Sequence, residues 1–166
     1  MCENKENEQK KQLKDDAIDP KWLLRYGVLE SLNEKVMSCL ELIDGIQKST
    51  GGTWKPSPDA IYPLLTDLQD NAYIKEMPPE NGFKSYELTK SGKDLRVEQT
   101  KIKEKFIQDT IKEVHLKKGF QVLDFGSGLG RYVLAVSEAI GATGKLYALD
   151  TASLALEMVR QIVDKK

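Results

Sequence analysis

The sequence predicts an α+β segment followed, after a long helix, by a partial α/β unit. Within residues 19–97, three stretches with apolar residues at helical spacing precede two short β-rich runs. After residue 119 the order changes to strand, glycine loop, helix, strand and helix. A chain of 166 residues has room for one domain or for two small ones.

The composition excludes several classes of function. With 25 basic and 26 acidic residues the net charge is -1, so nucleic-acid affinity would need a local basic surface. Two cysteines and one histidine are too few for a structural zinc site, so we expect no metal. No apolar run is long enough to cross a bilayer and no signal peptide is evident. We therefore expect a cytoplasmic protein without a membrane partner.

Four segments follow from these changes in pattern. Residues 1–18 are charged and almost free of apolar side chains, which is typical of a disordered tail. Residues 19–97 form the first domain, and residues 98–118 form a linking helix. Residues 119–166 form the partial α/β unit.

Helix start signals place the first three helices. A capping residue followed by proline marks the start of the first helix at residues 19–20 and of the third at residues 57–58. Ser38 can cap the second helix. The third helix has one apolar side, formed by Ile61, Leu64, Leu65 and Leu68.

A hairpin and a long charged helix come next. Tyr73–Met77 and Lys84–Leu88 are predicted strands, joined by a loop at residues 78–82 that contains Asn-Gly. Thr89 caps a helix that runs to about His115. Three helices followed by a hairpin is the layout of a winged helix-turn-helix. In that layout the third helix enters the major groove and the hairpin lies along the phosphates.

Two motifs carry a family resemblance. The pattern W-x-P-S-P-x-x-I-Y-P-L-L-x-x-L, from Trp54 to Leu68, resembles the recognition-helix region of the PadR family. The run Y-E-L-T-x-x-G, from Tyr86 to Gly92, resembles the end of that family's wing. The resemblance covers about residues 20–97. It implies an intracellular transcriptional regulator, usually a homodimer that binds a palindromic operator and often responds to a small molecule. It also implies dimerisation through outer helices, a role that Ser91–His115 could fill.

The sequence departs from the family pattern in two places. Asp59-Ala60 stands where the family commonly has Gly-Thr, and Ser38-Cys39-Leu40 replaces a His-Gly-Tyr-like stretch. The third helix has no lysine or arginine, so positive charge must come from its flanks. The candidate DNA contacts are Lys55, Ser57, Tyr62, Lys75 and Lys84, with Lys90, Lys93 and Arg96 as further sources of charge. Tyr62 has two possible roles, as a DNA contact or as a ring packed under the wing.

The second half contains a glycine loop between two predicted strands. Val122–Phe125 is followed by Gly126-Ser127-Gly128-Leu129-Gly130, and Leu146–Leu149 ends at Asp150. One glycine can make the sharp turn, another lets a ligand approach the backbone, and another permits close helix packing. A dinucleotide fingerprint would need glycine at position 131, where this chain has arginine.

The pattern L-D-x-G-x-G-x-G with a later acidic strand end resembles the Rossmann-like first half of class I S-adenosylmethionine (SAM) methyltransferases. By that resemblance, the methionine part of the cofactor would lie near Asp124, Gly126, Ser127, Gly128 and Gly130. Asp150 would hold the ribose. A complete domain of this kind takes roughly 150–250 residues, so the unit is incomplete. Truncation or fragmentation, pairing with a second copy, and a relic that binds nothing all remain open.

The leading hypothesis is a PadR-like DNA-binding regulator with an incomplete SAM-binding module and no catalysis, since no general base or nucleophile is evident. The alternative is a truncated SAM-dependent methyltransferase whose winged helix binds substrate or a second subunit. A third hypothesis joins the two, with the cofactor acting as a signal that changes DNA affinity.

Overall fold

A computed structural model describes residues 20–80 and 82–164, with the side chain of Glu80 left out. The predicted tail at residues 1–18 and the predicted cap at Asp19 lie outside these residues. The described chain divides into two compact units. The first comprises residues up to 47 together with 55–103, and the second comprises 48–54 together with residues from 104 onward.

The first unit begins with three helices, α1 (Pro20–Glu34), α2 (Cys39–Ser49) and α3 (Pro58–Asp70). Gly27 of α1 faces Ile46 of α2, and a Cβ there would lie at an ordinary contact distance of 3.4 Å. The buried side chains of the helices form one core, to which α1, α2 and α3 contribute Val28, Leu29, Leu32, Leu42, Ile43, Ile46, Ile61, Leu65 and Leu68. The predicted apolar side of α3 is therefore confirmed, although Leu64 is only half-buried.

A three-stranded antiparallel sheet completes this unit, with strand order β1-β3-β2. β2 spans Ile74–Glu80 and β3 spans Phe83–Leu88. The sequence prediction missed β1 (Met37–Ser38), because two residues are too short to show an alternating pattern. It also ended β2 too early, at Met77. The strand continues through two prolines, which are tolerated because β2 is an edge strand with a register shift between Met77 and Glu80.

Local hydrogen bonds explain where the helices begin. Ser38 and Glu41 form a capping box, in which the Ser38 backbone N–H donates to the Glu41 carboxylate at 2.8 Å. Ser57 is the N-cap of α3 as predicted, but its side chain makes no capping bond. Thr89 precedes α4 (Lys90–Glu113), and its hydroxyl accepts the Gly92 N–H at 3.1 Å.

The long helix α4 has few buried residues. They are Gly92 and Gln99, whereas its apolar residues are half-buried or exposed. In the first unit it is tied to α1 by an Arg96–Glu30 ion pair of 3.0 Å. The Lys103 ammonium also lies 4.7 Å from the centre of the Tyr26 ring. Polar contacts thus join α4 to α1 in the first unit.

The second unit contains β4 (Gln121–Phe125), α5 (Val133–Ile140), β5 (Lys145–Leu149) and α6 (Ser153–Asp164). The two strands pair in parallel in a two-stranded sheet. Both strands alternate between half-buried and exposed residues, so one sheet face is covered and the other is open. Leu146 lies on the covered face, whereas its neighbour in sequence, Tyr147, lies on the open face.

Gly92 allows the wing and α4 to meet. A Cβ at this position would overlap the carbonyl oxygen of Tyr73 and lie 3.0 Å from the Leu88 side chain. That carbonyl already accepts the Thr89 N–H at 3.0 Å, so it cannot move without cost. The glycine of the Y-E-L-T-x-x-G motif is thus required by packing.

We expect Gly92→Ala to lower the free energy of unfolding by about 3 kcal/mol, as overpacking against fixed backbone does. The matched control is Gly45→Ala in α2, where a Cβ makes only ordinary contacts. Because alanine favours helix, the control should gain about 0.5–1 kcal/mol. Urea unfolding followed by circular dichroism measures both. Equal stabilities for the two variants would contradict this account.

Candidate functional site

Helix α3 has two contrasting sides. Ile61, Leu65 and Leu68 are buried, with at most 1% of each exposed, and they fix the helix in the first unit. Its other side is exposed and polar. The amphipathic helix that the sequence predicts is therefore present, with one side free to meet a ligand.

That exposed side is acidic. It carries Asp59, Asp67 and Asp70, and α3 contains no lysine or arginine. Asp67 also accepts the Asn71 side-chain amide at 3.2 Å. A helix that approaches DNA phosphates with three carboxylates pays repulsion, so its flanks must supply the attraction.

The two wing lysines are in ion pairs within the hairpin. Lys75 lies 2.9 Å from Glu87, and Lys84 lies 2.9 Å from Glu76. The pKa of Lys84 is raised by the hydrogen bond and charge of Glu76. Exposed pairs of this kind are worth about 0–1 kcal/mol, so phosphates could replace the carboxylates as partners.

The remaining candidate DNA contacts lie at the start of α3. Lys55 and Ser57 are both exposed, and Ser57 uses only its backbone carbonyl to accept the N–H groups of the first turn. Arg96, expected as a further source of positive charge, is instead paired with Glu30. Lys90 and Lys93 are exposed after the wing.

Tyr62 lies next to Cys39 at the start of α2. A hydrogen bond to Cys39 raises the pKa of Tyr62. Burial raises the pKa of the Cys39 thiol, and this effect outweighs the lowering by the hydrogen bond with Tyr62. About half of the Tyr62 side chain is exposed, so its predicted contact with DNA remains sterically open.

The glycines of the loop after β4 have different surroundings. Gly126 and Gly128 have positive φ values of 76° and 50°, and a Cβ on either would meet nothing within 4 Å. At Gly130 a Cβ would lie 3.0 Å from Val159 of α6 and 3.2 Å from Val133 of α5. Gly130 thus permits close helix packing, while the first two glycines border open space.

Asp150 fastens this loop to the end of β5. Its carboxylate accepts the Gly128 N–H and the Ala152 N–H, each at 2.8 Å. These backbone hydrogen bonds lower the pKa of Asp150. The family resemblance predicts a ribose-binding role for Asp150 but gives no sign of this loop contact, because Gly128 and Asp150 are 22 positions apart.

Two polar atoms of the loop region are buried without a partner. They are the Oδ2 atom of Asp124 and the hydroxyl of Ser127, the latter residue being only 7% exposed. The pKa of Asp124 is raised, first by burial and then by the negative charge of Asp150. Buried polar atoms normally have partners, so these two groups fit a ligand that supplies hydrogen-bond donors or positive charge.

The described residues contain no group of three or more metal-binding side chains. His115 follows α4 with a φ of 54°, and its ring nitrogen lies 2.8 Å from the Lys112 carbonyl. The His115 ring therefore contacts a backbone carbonyl at the end of α4. None of the helices in the described part is long and apolar enough to cross a membrane.

Three helices followed by a β-hairpin, with one side of the third helix exposed, define a winged helix-turn-helix. Residues 28–98 match the model of the transcriptional regulator PadR-like family. This segment of the chain is therefore similar to the PadR-like family, and the resemblance that the sequence predicts is confirmed for these residues.

Individual relatives match parts of the chain. Transcriptional regulator YqjI of Escherichia coli (strain K12) is 34% identical over 89 residues, covering 54% of this chain and 42% of that protein. Demethylmenaquinone methyltransferase of Geobacillus sp. (strain WCH70) is 32% identical over 62 residues, covering 37% of this chain and 26% of the enzyme. The chain therefore spans less than half the length of these curated relatives.

Solved structures resemble part of the chain as well. Bacillus subtilis PadR in complex with operator DNA is 28% identical to this chain and has a TM-score of 0.43. The match covers 48% of this chain and 47% of the PadR chain. A transcriptional regulator from Clostridium thermocellum is 19% identical and has a TM-score of 0.49. The match covers 54% of this chain and 89% of that regulator's chain.

The raised pKa of Asp124 predicts a pH-dependent cost in the second unit. Because the folded state favours the protonated carboxyl, stability is retained at low pH and lost as pH rises through the folded pKa. Asp124→Asn should therefore raise the melting temperature by a few degrees at neutral pH. The gain should shrink as pH falls toward the usual aspartate range.

Thermal unfolding followed by circular dichroism at a series of pH values from acidic to neutral measures this difference. The control is Glu157→Gln, an exposed carboxylate on α6, which should have little effect at any pH. A neutral-pH melting temperature of Asp124→Asn below that of the wild type would refute the assignment.

Proposed function

We propose that this chain is a DNA-binding transcriptional regulator of PadR type that carries an incomplete SAM-binding module. The observation that carries the proposal is the exposed polar side of α3, held in place by the burial of Ile61, Leu65 and Leu68. The match of residues 28–98 to the PadR-like family supports it.

Contact with the operator would come from residues just before α3 and from the wing. Lys55 and Ser57 precede the first turn of α3, and Lys75 and Lys84 lie on the wing. Each lysine that reaches a phosphate adds about one unit to the salt dependence of binding. Because Asp59, Asp67 and Asp70 oppose this attraction, binding should be weak, and salt should weaken it further according to the number of lysines that meet phosphates.

Dimerisation through α4 is part of the proposal. Its apolar residues are incompletely buried within the chain, and a helix this polar gains stability when another helix covers its apolar stripe. The stripe consists of Ile102, Phe106, Ile107, Ile111 and Val114. A second copy of α4 would cover it and place two α3 helices on a symmetric operator.

Fluorescence anisotropy with labelled DNA from upstream of the chain's own gene tests DNA binding. We expect the wild type to bind at low salt, and Lys84→Ala to lower the salt slope by about one unit. Arg160→Ala is the matched control, because Arg160 is a similarly exposed cation that is ion-paired, with Glu157, on α6. The proposal fails if no duplex binds at low salt, or if both variants weaken binding equally.

A second candidate function is binding of SAM by the glycine loop. It is favoured by the buried, unpartnered Ser127 hydroxyl and Asp124 oxygen beside glycines that border open space. The partial similarity to a SAM-dependent enzyme class, demethylmenaquinone methyltransferase, points the same way. When bound, the cofactor would supply an activated methyl group or act as a signal, and these residues would bind and orient it.

Titration calorimetry with SAM tests this second function. Ser127→Ala should weaken binding about tenfold, as expected for loss of one hydrogen bond to a charged ligand. It should leave stability unchanged, since the hydroxyl has no partner in the free chain. Ser137→Ala on α5 is the control. Absence of heat at high cofactor concentration would reject SAM binding without affecting the DNA-binding proposal.

A further inference from the structure

The β4–β5 sheet has one face that is both apolar and exposed. Four large side chains define it, and we call it the open sheet face. Their exposed fractions are 60% for Leu123, 81% for Phe125, 51% for Tyr147 and 47% for Leu149. This is the largest apolar surface that a single sheet presents in the described part of the chain.

The strand register makes these side chains one continuous patch. Leu123 is paired with Tyr147, and Phe125 is paired with Leu149. Residues that are two apart on a strand point to the same face, so the four side chains form a block two strands wide. The other face carries half-buried residues such as Val122 and Leu146.

An open face is unusual for parallel strands, which are normally covered on both faces. Taking about 200 Å² for each of the four large side chains, their exposed fractions leave roughly 500 Å² of apolar surface. That value is near the upper end for the largest patch on a monomer, and such patches commonly mark interaction sites.

We propose that a second copy of this chain covers the open sheet face, with the two sheets packed face to face about a two-fold axis. Two faces of roughly 500 Å² bury about 1,000 Å² in total, which is the lower end for a specific interface. The contact by itself should therefore be weak, and the association should appear in the micromolar range.

The charge of Lys145 favours a second copy in antiparallel orientation. Lys145 is exposed at the beginning of β5 and lies on the same face as Tyr147 and Leu149. A two-fold axis across the strands places the two copies' Lys145 side chains at opposite ends of the contact, about 13 Å apart along the strand direction, so screening removes most of their repulsion. A parallel arrangement would bring these two charges together.

This contact is independent of the proposed DNA binding and of dimerisation through α4. It involves neither α3 nor the apolar stripe of α4, and it requires no cofactor. Failure of either proposed function would leave it standing, and a test specific to Phe125 can separate it from a helix-mediated dimer.

Site-specific photo-crosslinking of the full chain tests the contact. Phe125 is replaced by the photoreactive analogue benzoylphenylalanine, which keeps an apolar aromatic side chain. Irradiation of the purified protein should give a covalent dimer whose yield rises with protein concentration. The matched control carries the same analogue at Val163, an apolar residue of α6 that is 55% exposed, and it should give little dimer.

A charge variant gives a second measurement. Sedimentation velocity from low to high micromolar concentration should show a lower oligomeric state for Phe125→Lys than for the wild type. Val163→Lys should sediment like the wild type, and circular dichroism checks that both variants fold. Equal crosslinking from positions 125 and 163, or identical sedimentation of Phe125→Lys and wild type at every concentration, would overturn the proposal.

Discussion

Burial of one side of α3 is the interaction on which the rest of the first unit depends. Ile61, Leu65 and Leu68 are almost completely excluded from solvent, which fixes the helix axis and exposes its polar side. The adjoining wing is held by Gly92, whose missing side chain admits the Tyr73 carbonyl. Fixed burial on one side and a rigid hairpin beside it create a surface that a duplex can meet.

The electrostatics of that surface set it apart from a generic basic DNA-binding face. Three aspartates lie on the exposed side of α3, and the wing lysines already have carboxylate partners at 2.9 Å. Phosphates must therefore compete with these carboxylates for the lysines. Such a surface favours weak binding, so the proposed operator recognition would depend on the two copies of the proposed dimer.

The second unit combines an ordered loop with a two-stranded sheet that has one exposed face. Asp150 holds the loop through the Gly128 N–H, and Gly130 packs against α5 and α6. The same unit leaves apolar side chains of β4 and β5 exposed. A unit with local order and an uncovered face is physically consistent with a module that is finished by association.

The sequence by itself determined the order of the helices and strands, the buried side of α3, the caps at Ser38 and Thr89, and the packing role of a loop glycine. These features arise from short-range periodicity and backbone preference, both of which depend on residues that are close in sequence. Only the tertiary structure decided the two-residue β1, the extension of β2 through its prolines, the polar burial of α4 and the contact of Asp150 with Gly128. Each of these depends on residues distant in sequence, whose pairing follows from how the chain packs.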